Sequence, residues 1–109
     1  MIHWMSKEVD ELLDNYTDDY GTHIPMSFIV CEGGDKGWIE LACEIGGDDV
    51  EDNLILGDCA GLTDAEINRR FVEEFAKFAK DHGRELGDYY LGGDEYLDGL
   101  AKALAATLG

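Results

Sequence analysis

LTDAEINRRFVEEFAKFAKDHG, residues 62–83, is the stretch that the rest of this chain is expected to pack against. Thr63 is placed as an N-cap, and Glu66 three residues later completes a capping box in which each side chain takes a backbone N–H. Leu62 before the cap and Ile67 after it are spaced to close as a hydrophobic staple. Ile67, Phe71, Phe75, Phe78 and His82 then recur at three- and four-residue steps, with Val72, Ala76 and Ala79 widening the stripe. Gly83 can take the left-handed conformation that ends a helix. Three of the four phenylalanines lie on this segment, which puts the core here.

On the N-terminal side, Ser6 is expected to cap a helix running to Tyr16 or Tyr20, with Val9, Leu12, Leu13 and Tyr16 as its buried stripe. Gly21 and Pro25 break it. Met26 to Cys31 (MSFIVC) reads as a central strand, or one covered on both faces. EGGDKG supplies turn chemistry before Trp38 to Ile45 (WIELACEI). That second strand alternates, with Ile39, Leu41, Cys43 and Ile45 inward and Glu40 and Glu44 outward. The two strands should form a hairpin. GGDDVEDN reads as another turn, and Leu54 to Leu56 as a short third strand. Beyond Gly83, RELGDYYLGG is either a short fourth strand or an irregular aromatic loop. Asp94 should cap a last helix with Leu97, Leu100, Ala101, Leu104, Ala105 and Leu108 on its apolar side. The expected order, α-β-β-β-α-(β)-α, describes an α+β fold: a three-stranded, or four-stranded, antiparallel meander with three helices on one face.

The chain of 109 residues is long enough for one domain, residues 1–109, with a core that needs no staples. Its charge is unusual: 25 acidic residues against 8 basic give a formal net charge of -17. Self-repulsion on that scale opposes compaction. It also disfavours direct binding to nucleic acid or to an anionic membrane surface. Cys31, Cys43 and Cys59 are odd in number and form no CxxC pair, so they read as free thiols in a reducing compartment. No signal peptide or spanning segment is evident, and the expected location is the cytoplasm.

Chemistry-bearing motifs are missing. Neither DNYTDDYG nor GGDDVEDN meets the EF-hand register. Asp48, Asp49, Glu51 and Asp52 could attract a weakly held cation, but a solvated turn is the plainer reading. His3, His23 and His82 are scattered relative to the cysteines, against the short spacings of a zinc site. His82 is expected at the helix C-terminus, interacting with it. Carboxylates near the thiols would raise rather than depress their pKa values. The GDCAG turn lacks the lysine and hydroxyl of a phosphate loop. The expectation is therefore a non-enzymatic protein with no cofactor, no catalytic residues and no metal.

The charge is uneven. Glu8 to Asp19 carries six acids and no base, Glu44 to Asp58 again six and none, and Asp81 to Asp98 six with only Arg84 against them. Between Cys59 and Lys80 acids and bases balance at four each. Acidity that served solubility alone should cover every exposed surface. Asp10 and Asp14, one helical turn apart, lie roughly 6 Å apart along the axis. That is the same order as the charge spacing of a nucleic-acid backbone, so such a surface can occupy a channel built for DNA or RNA.

In size, acidity, lack of catalytic motifs and its blocks DELLDNYTDDY and GGDDVEDN, the chain resembles the small phage-encoded anti-defence proteins. These are the anti-CRISPR and anti-restriction inhibitors that act as nucleic-acid mimics. The resemblance implies a non-catalytic inhibitor of a basic nucleic-acid-binding protein, a CRISPR effector or restriction enzyme. The partner-binding residues expected on the acidic blocks are Asp48, Asp49, Glu51 and Asp52, with Asp10, Glu11, Asp14, Asp18 and Asp19 second. The element order is also similar to that of type III secretion chaperones, which are homodimers, so an acidic chaperone or other protein-interaction domain is the alternative. A salt-adapted domain is a third reading.

Overall fold

The computed structural model describes residues 7–24, 26, 29–32, 38–45, 48–58 and 60–108. The elements are α1 (Lys7–Asn15), β1 (Ile29–Glu32), β2 (Trp38–Ile45), β3 (Asp48–Ile55), α2 (Asp64–Tyr89) and α3 (Gly93–Leu108). Helices and an antiparallel sheet make this an α+β fold, as expected from the sequence. The cap expected at Ser6, the break at Pro25, the turn over 33–37, and residues His3 and Cys59 lie outside the described residues.

The start of α2 is set by local chemistry. The Thr63 hydroxyl accepts from the Glu66 N–H at 3.3 Å, and Thr63 is extended, with φ -75° and ψ 160°. Glu66 completes the box differently from expectation: its carboxylate accepts from the Thr63 hydroxyl at 3.2 Å. The guanidinium of Arg70 donates to the carbonyls of Leu56, at 2.7 Å, and Asp58, at 3.1 Å. It thereby ties the helix to the loop that the GDCAG turn occupies.

The far end departs from expectation. Helix α2 does not stop at Gly83 but runs 26 residues to Tyr89, about 39 Å at 1.5 Å per residue. The segment RELGDYYLGG is therefore neither a fourth strand nor an irregular loop over its first half; it completes α2 and turns into α3. Gly83 is needed for space rather than for a left-handed conformation. A Cβ there would lie 3.3 Å from the Cα of Asp94, and one at Gly93 would lie 2.7 Å from the Leu86 carbonyl. The glycines let two helix backbones approach, so α2 and α3 form a tight αα-hairpin. The left-handed residue is Gly92, with φ 72°.

The sheet has the order β1-β2-β3, antiparallel throughout. It is less even than the expected meander. Its body is the β2–β3 hairpin, eight residues in each strand, paired from Trp38↔Ile55 to Ile45↔Asp48. The four residues of β1 pair only with part of β2, from Ile29↔Ala42 to Glu32↔Ile39. The larger correction concerns GGDDVEDN. From Asp48 onward it is strand, not turn, so β3 starts six residues before the expected Leu54.

One core joins these layers. Val9 and Leu13 of α1, Leu41 and Cys43 of β2, Leu54, Ile67, Phe71, Phe75, Phe78 and Ala79 of the α2 stripe, and Leu97, Leu100 and Leu104 of α3 are all buried, while Val72 and His82 are half-buried. Ala76, expected on the stripe, is exposed instead. Tyr96, absent from the expected α3 stripe, is 2% exposed. Its hydroxyl donates to the Tyr16 carbonyl at 2.7 Å, and the two rings lie 5.1 Å apart. That pair fastens the end of α1 to α3. Among the described residues, no helix is long and apolar enough to cross a membrane.

Cys43 is free and buried. Burial, reinforced by the Glu85 carboxylate, pushes its thiol up from 9.0 to about 11. Between those values the unfolded chain releases the proton while the folded chain keeps it, so stability falls as pH rises. Below pH 9 both states hold the proton and the thiol adds no slope. Urea midpoints measured from pH 8.5 to 11 should therefore decline more steeply for the native sequence than for Cys43→Ala. The tyrosines common to both proteins cancel in that comparison. Equal slopes would mean that the thiol is not shielded.

Candidate partner-binding surface

Successive residues of a strand point to opposite faces, and directly opposed residues of a ladder share one. Leu41, Cys43 and Leu54 are buried on the face that α2 covers. The pairings Leu41↔Asp52 and Cys43↔Val50 put Asp52 and Val50 on that face too. The other face carries Glu40, Ala42 and Glu44 of β2 opposite Asn53, Glu51 and Asp49 of β3.

The pleat therefore divides the four acids expected to act as one loop. Asp49 and Glu51 are exposed on the outer face. Asp48 and Asp52 turn toward α2, where each finds a partner. The Tyr89 hydroxyl donates to Asp48 Oδ2 at 3.3 Å, and the Asp48 carboxylate raises the tyrosine's pKa. Asp52 Oδ2 lies 3.3 Å from His82 Nε2, and its other oxygen accepts from the Asn53 N–H at 2.9 Å.

His82 thus has a different role from the one expected. It lies inside α2 rather than at its end, so it cannot meet the helix C-terminus. Its ring extends a pile in which Phe71, Phe75, Phe78 and His82 follow at 5.9, 5.6 and 4.7 Å. Its Nδ1 lies 3.5 Å from Glu85 Oε2. The imidazole bridges β3 and α2 between two carboxylates.

On the outer face, Asp49 lies directly opposite Glu44. Same-face neighbours along a strand stand about 6.8 Å apart and paired strands about 4.8 Å apart, so Glu40, Glu44, Asp49 and Glu51 form a compact anionic plate. Neither β2 nor β3 contains a lysine or arginine. A recess of about 400 Å³ lined by Glu40, Glu51, Asp52 and Asn53 opens on the same strands. Among the described residues, no group of three or more potential ligands is arranged to hold a metal ion.

The second expected cluster lies on another element. Glu11, Asp14 and Asp19 are exposed at α1 and its end, while the Asp10 side chain lies outside the described residues. Asp18 is engaged internally: Oδ1 accepts from the N–H groups of Tyr20, at 2.9 Å, and Thr22, at 2.7 Å. It shapes the chain leaving α1. Burial, then Asp18, Asp19 and Asp98, raise the pKa of Tyr16, which puts this end of α1 in the field of an α3 carboxylate.

Glu40 and Glu44 were legible as outward-facing but not as part of the plate. Val50, Leu54 and Leu56 at even spacing are the signal that GGDDVEDN contains a strand; Asp52 interrupts it. The chain matches no protein-family model, no curated protein and no solved structure.

Proposed function

We propose that this protein is a non-catalytic inhibitor that binds a basic nucleic-acid-binding protein, such as a CRISPR effector or restriction enzyme, through the outer face of β2 and β3. The observation that carries this reading is the Glu44↔Asp49 pair. Like charges directly opposed on a ladder are destabilising, on the order of 0.2–1 kcal/mol. A plate that keeps this arrangement, with no cation on either strand, suits a partner that supplies the cations. Its carboxylate spacings suit a channel made for a phosphate backbone. Attraction of this kind acts mainly on the association rate. A secretion-chaperone-like domain is the weaker reading, because α2 and α3 follow one another without an intervening strand.

The test is a protein carrying Glu40→Gln, Glu44→Gln, Asp49→Asn and Glu51→Gln, assayed for competition with duplex DNA against purified CRISPR effectors and restriction endonucleases. The native sequence should displace DNA, less so as salt is raised. The neutralised protein should lose at least about tenfold in apparent affinity, or 1.4 kcal/mol. Its thermal midpoint should stay level or rise, because the opposed charges are gone. Undiminished competition by the neutralised protein, or competition insensitive to salt, rules the reading out.

A further inference from the structure

The turn between α2 and α3 carries the sequence Tyr89-Tyr90-Leu91. Leu91 is 100% exposed, Tyr89 55% and Tyr90 38%. The turn is held in place. The Tyr90 N–H donates to the Leu86 carbonyl at 2.9 Å, the Gly93 N–H to Tyr90 at 3.0 Å, and the Tyr96 N–H to Gly92 at 2.9 Å. Three apolar residues in a row, presented by a fixed turn, form an apolar knob rather than scattered surface hydrophobes. Exposed Glu85, Asp88, Asp94 and Glu95 surround it in sequence, and no base occurs between Arg84 and Lys102. The Tyr89–Asp48 hydrogen bond holds the knob on the α2 side of the sheet, at the same end as the outward-facing Glu44↔Asp49 pair, so an interface containing both reaches round that end.

We propose that this knob is the apolar anchor of the interface, and that it seats in an apolar socket on a basic protein surface. This rests on the function proposed above and adds the chemistry of the partner. Interface energy concentrates in a few aromatic and aliphatic anchors, with charged rims that contribute mainly orientation and rate. The choice of occupant follows from the carboxylates. Docking Leu91 against a neutral apolar surface would desolvate the neighbouring acids without compensation. A second copy would bring two acidic rings together, and an anionic membrane would repel them. A socket rimmed by lysine or arginine meets both requirements.

The full chain is titrated, by amide chemical-shift mapping, with two probes of equal positive charge: oligolysine and an amphipathic leucine/lysine helical peptide. Oligolysine should shift Glu40, Glu44, Asp49 and Glu51. The amphipathic peptide should also shift Tyr89 to Gly92 and bind at least tenfold more tightly. In Tyr90→Ser/Leu91→Ser, which alters only exposed or partly exposed side chains, that advantage should vanish while oligolysine binding is kept. If the advantage survives in that variant, the anchor is wrong and the acidic plate stands. If the sheet-neutralised protein binds both probes as tightly as the native sequence, the acidic plate is wrong. Concentration-dependent dimerisation that the turn substitutions abolish would assign the knob to a second copy. Binding to phosphatidylcholine/phosphatidylserine vesicles that the same substitutions abolish would assign it to a membrane; either result overturns the proposal.

Discussion

Phe75→Ala should destabilise the protein by about 3–5 kcal/mol, the usual range for deleting a buried aromatic ring. The side chain is 0% exposed and sits between Phe71, 5.9 Å away, and Phe78, 5.6 Å away, by ring centroid. It lies mid-way along α2, the helix that touches both the sheet and α3. Removing it leaves a cavity that neither layer can close alone. Domains of this size are stable by only about 5–15 kcal/mol, so the variant should be close to unfolding at ambient temperature. Urea denaturation monitored by tryptophan fluorescence and by circular dichroism would measure it. A loss below about 1 kcal/mol, against the range for buried aromatics, would mean that this face of α2 does not line the core.

Among the glycines of the α2–α3 hairpin, Gly93→Ala should be the most disruptive substitution. An added Cβ would lie 2.7 Å from both the carbonyl carbon and oxygen of Leu86 and 2.8 Å from its Cγ. The obstacle is backbone, which cannot rotate aside as a side chain can, so the hairpin must open. Overpacking of this kind typically costs about 1–3 kcal/mol and occasionally more. Gly87→Ala is the control. Its Cβ would meet Asp94 at an ordinary 3.7 Å, and its residue is exposed within α2. There alanine should stabilise by about 0.5–1 kcal/mol through helix propensity. Opposite signs for the two substitutions, read as shifts in thermal midpoint, are the expected result. Equal effects would mean that α2 and α3 are farther apart than the glycines imply.

The two substitutions differ in how far they could be foreseen. Phe75 was legible, because a helical stripe repeats within a few residues and needs no knowledge of what it packs against. Gly93 was not, because the contact that requires it is made with Leu86 on the preceding helix. Gly83 misled for the same reason: a glycine after an apolar stripe reads as a helix end, and only the approach of α3 shows that it makes room for a backbone. The site follows the same division. That Glu40 and Glu44 point outward could be read from alternation within one strand. That they face Asp49 and Glu51 could not, because Asp52 interrupts the period and acid-rich, glycine-led segments resemble turns.

The amino-acid sequence by itself determined the α+β class, the Thr63 cap, the buried faces of α1, α2 and α3, and the charge of -17 with its blocks. These depend on neighbours three or four residues apart, or on composition alone. Tertiary structure decided the extent of α2, the registers Leu41↔Asp52 and Glu44↔Asp49, the bridging position of His82 and the exposure of Leu91. Each of these pairs groups far apart in the chain, or depends on which surfaces other elements leave uncovered. The pleat then settled which acids serve the fold and which face solvent: Asp48 and Asp52 lie against α2, and Asp49 and Glu51 lie on the open side.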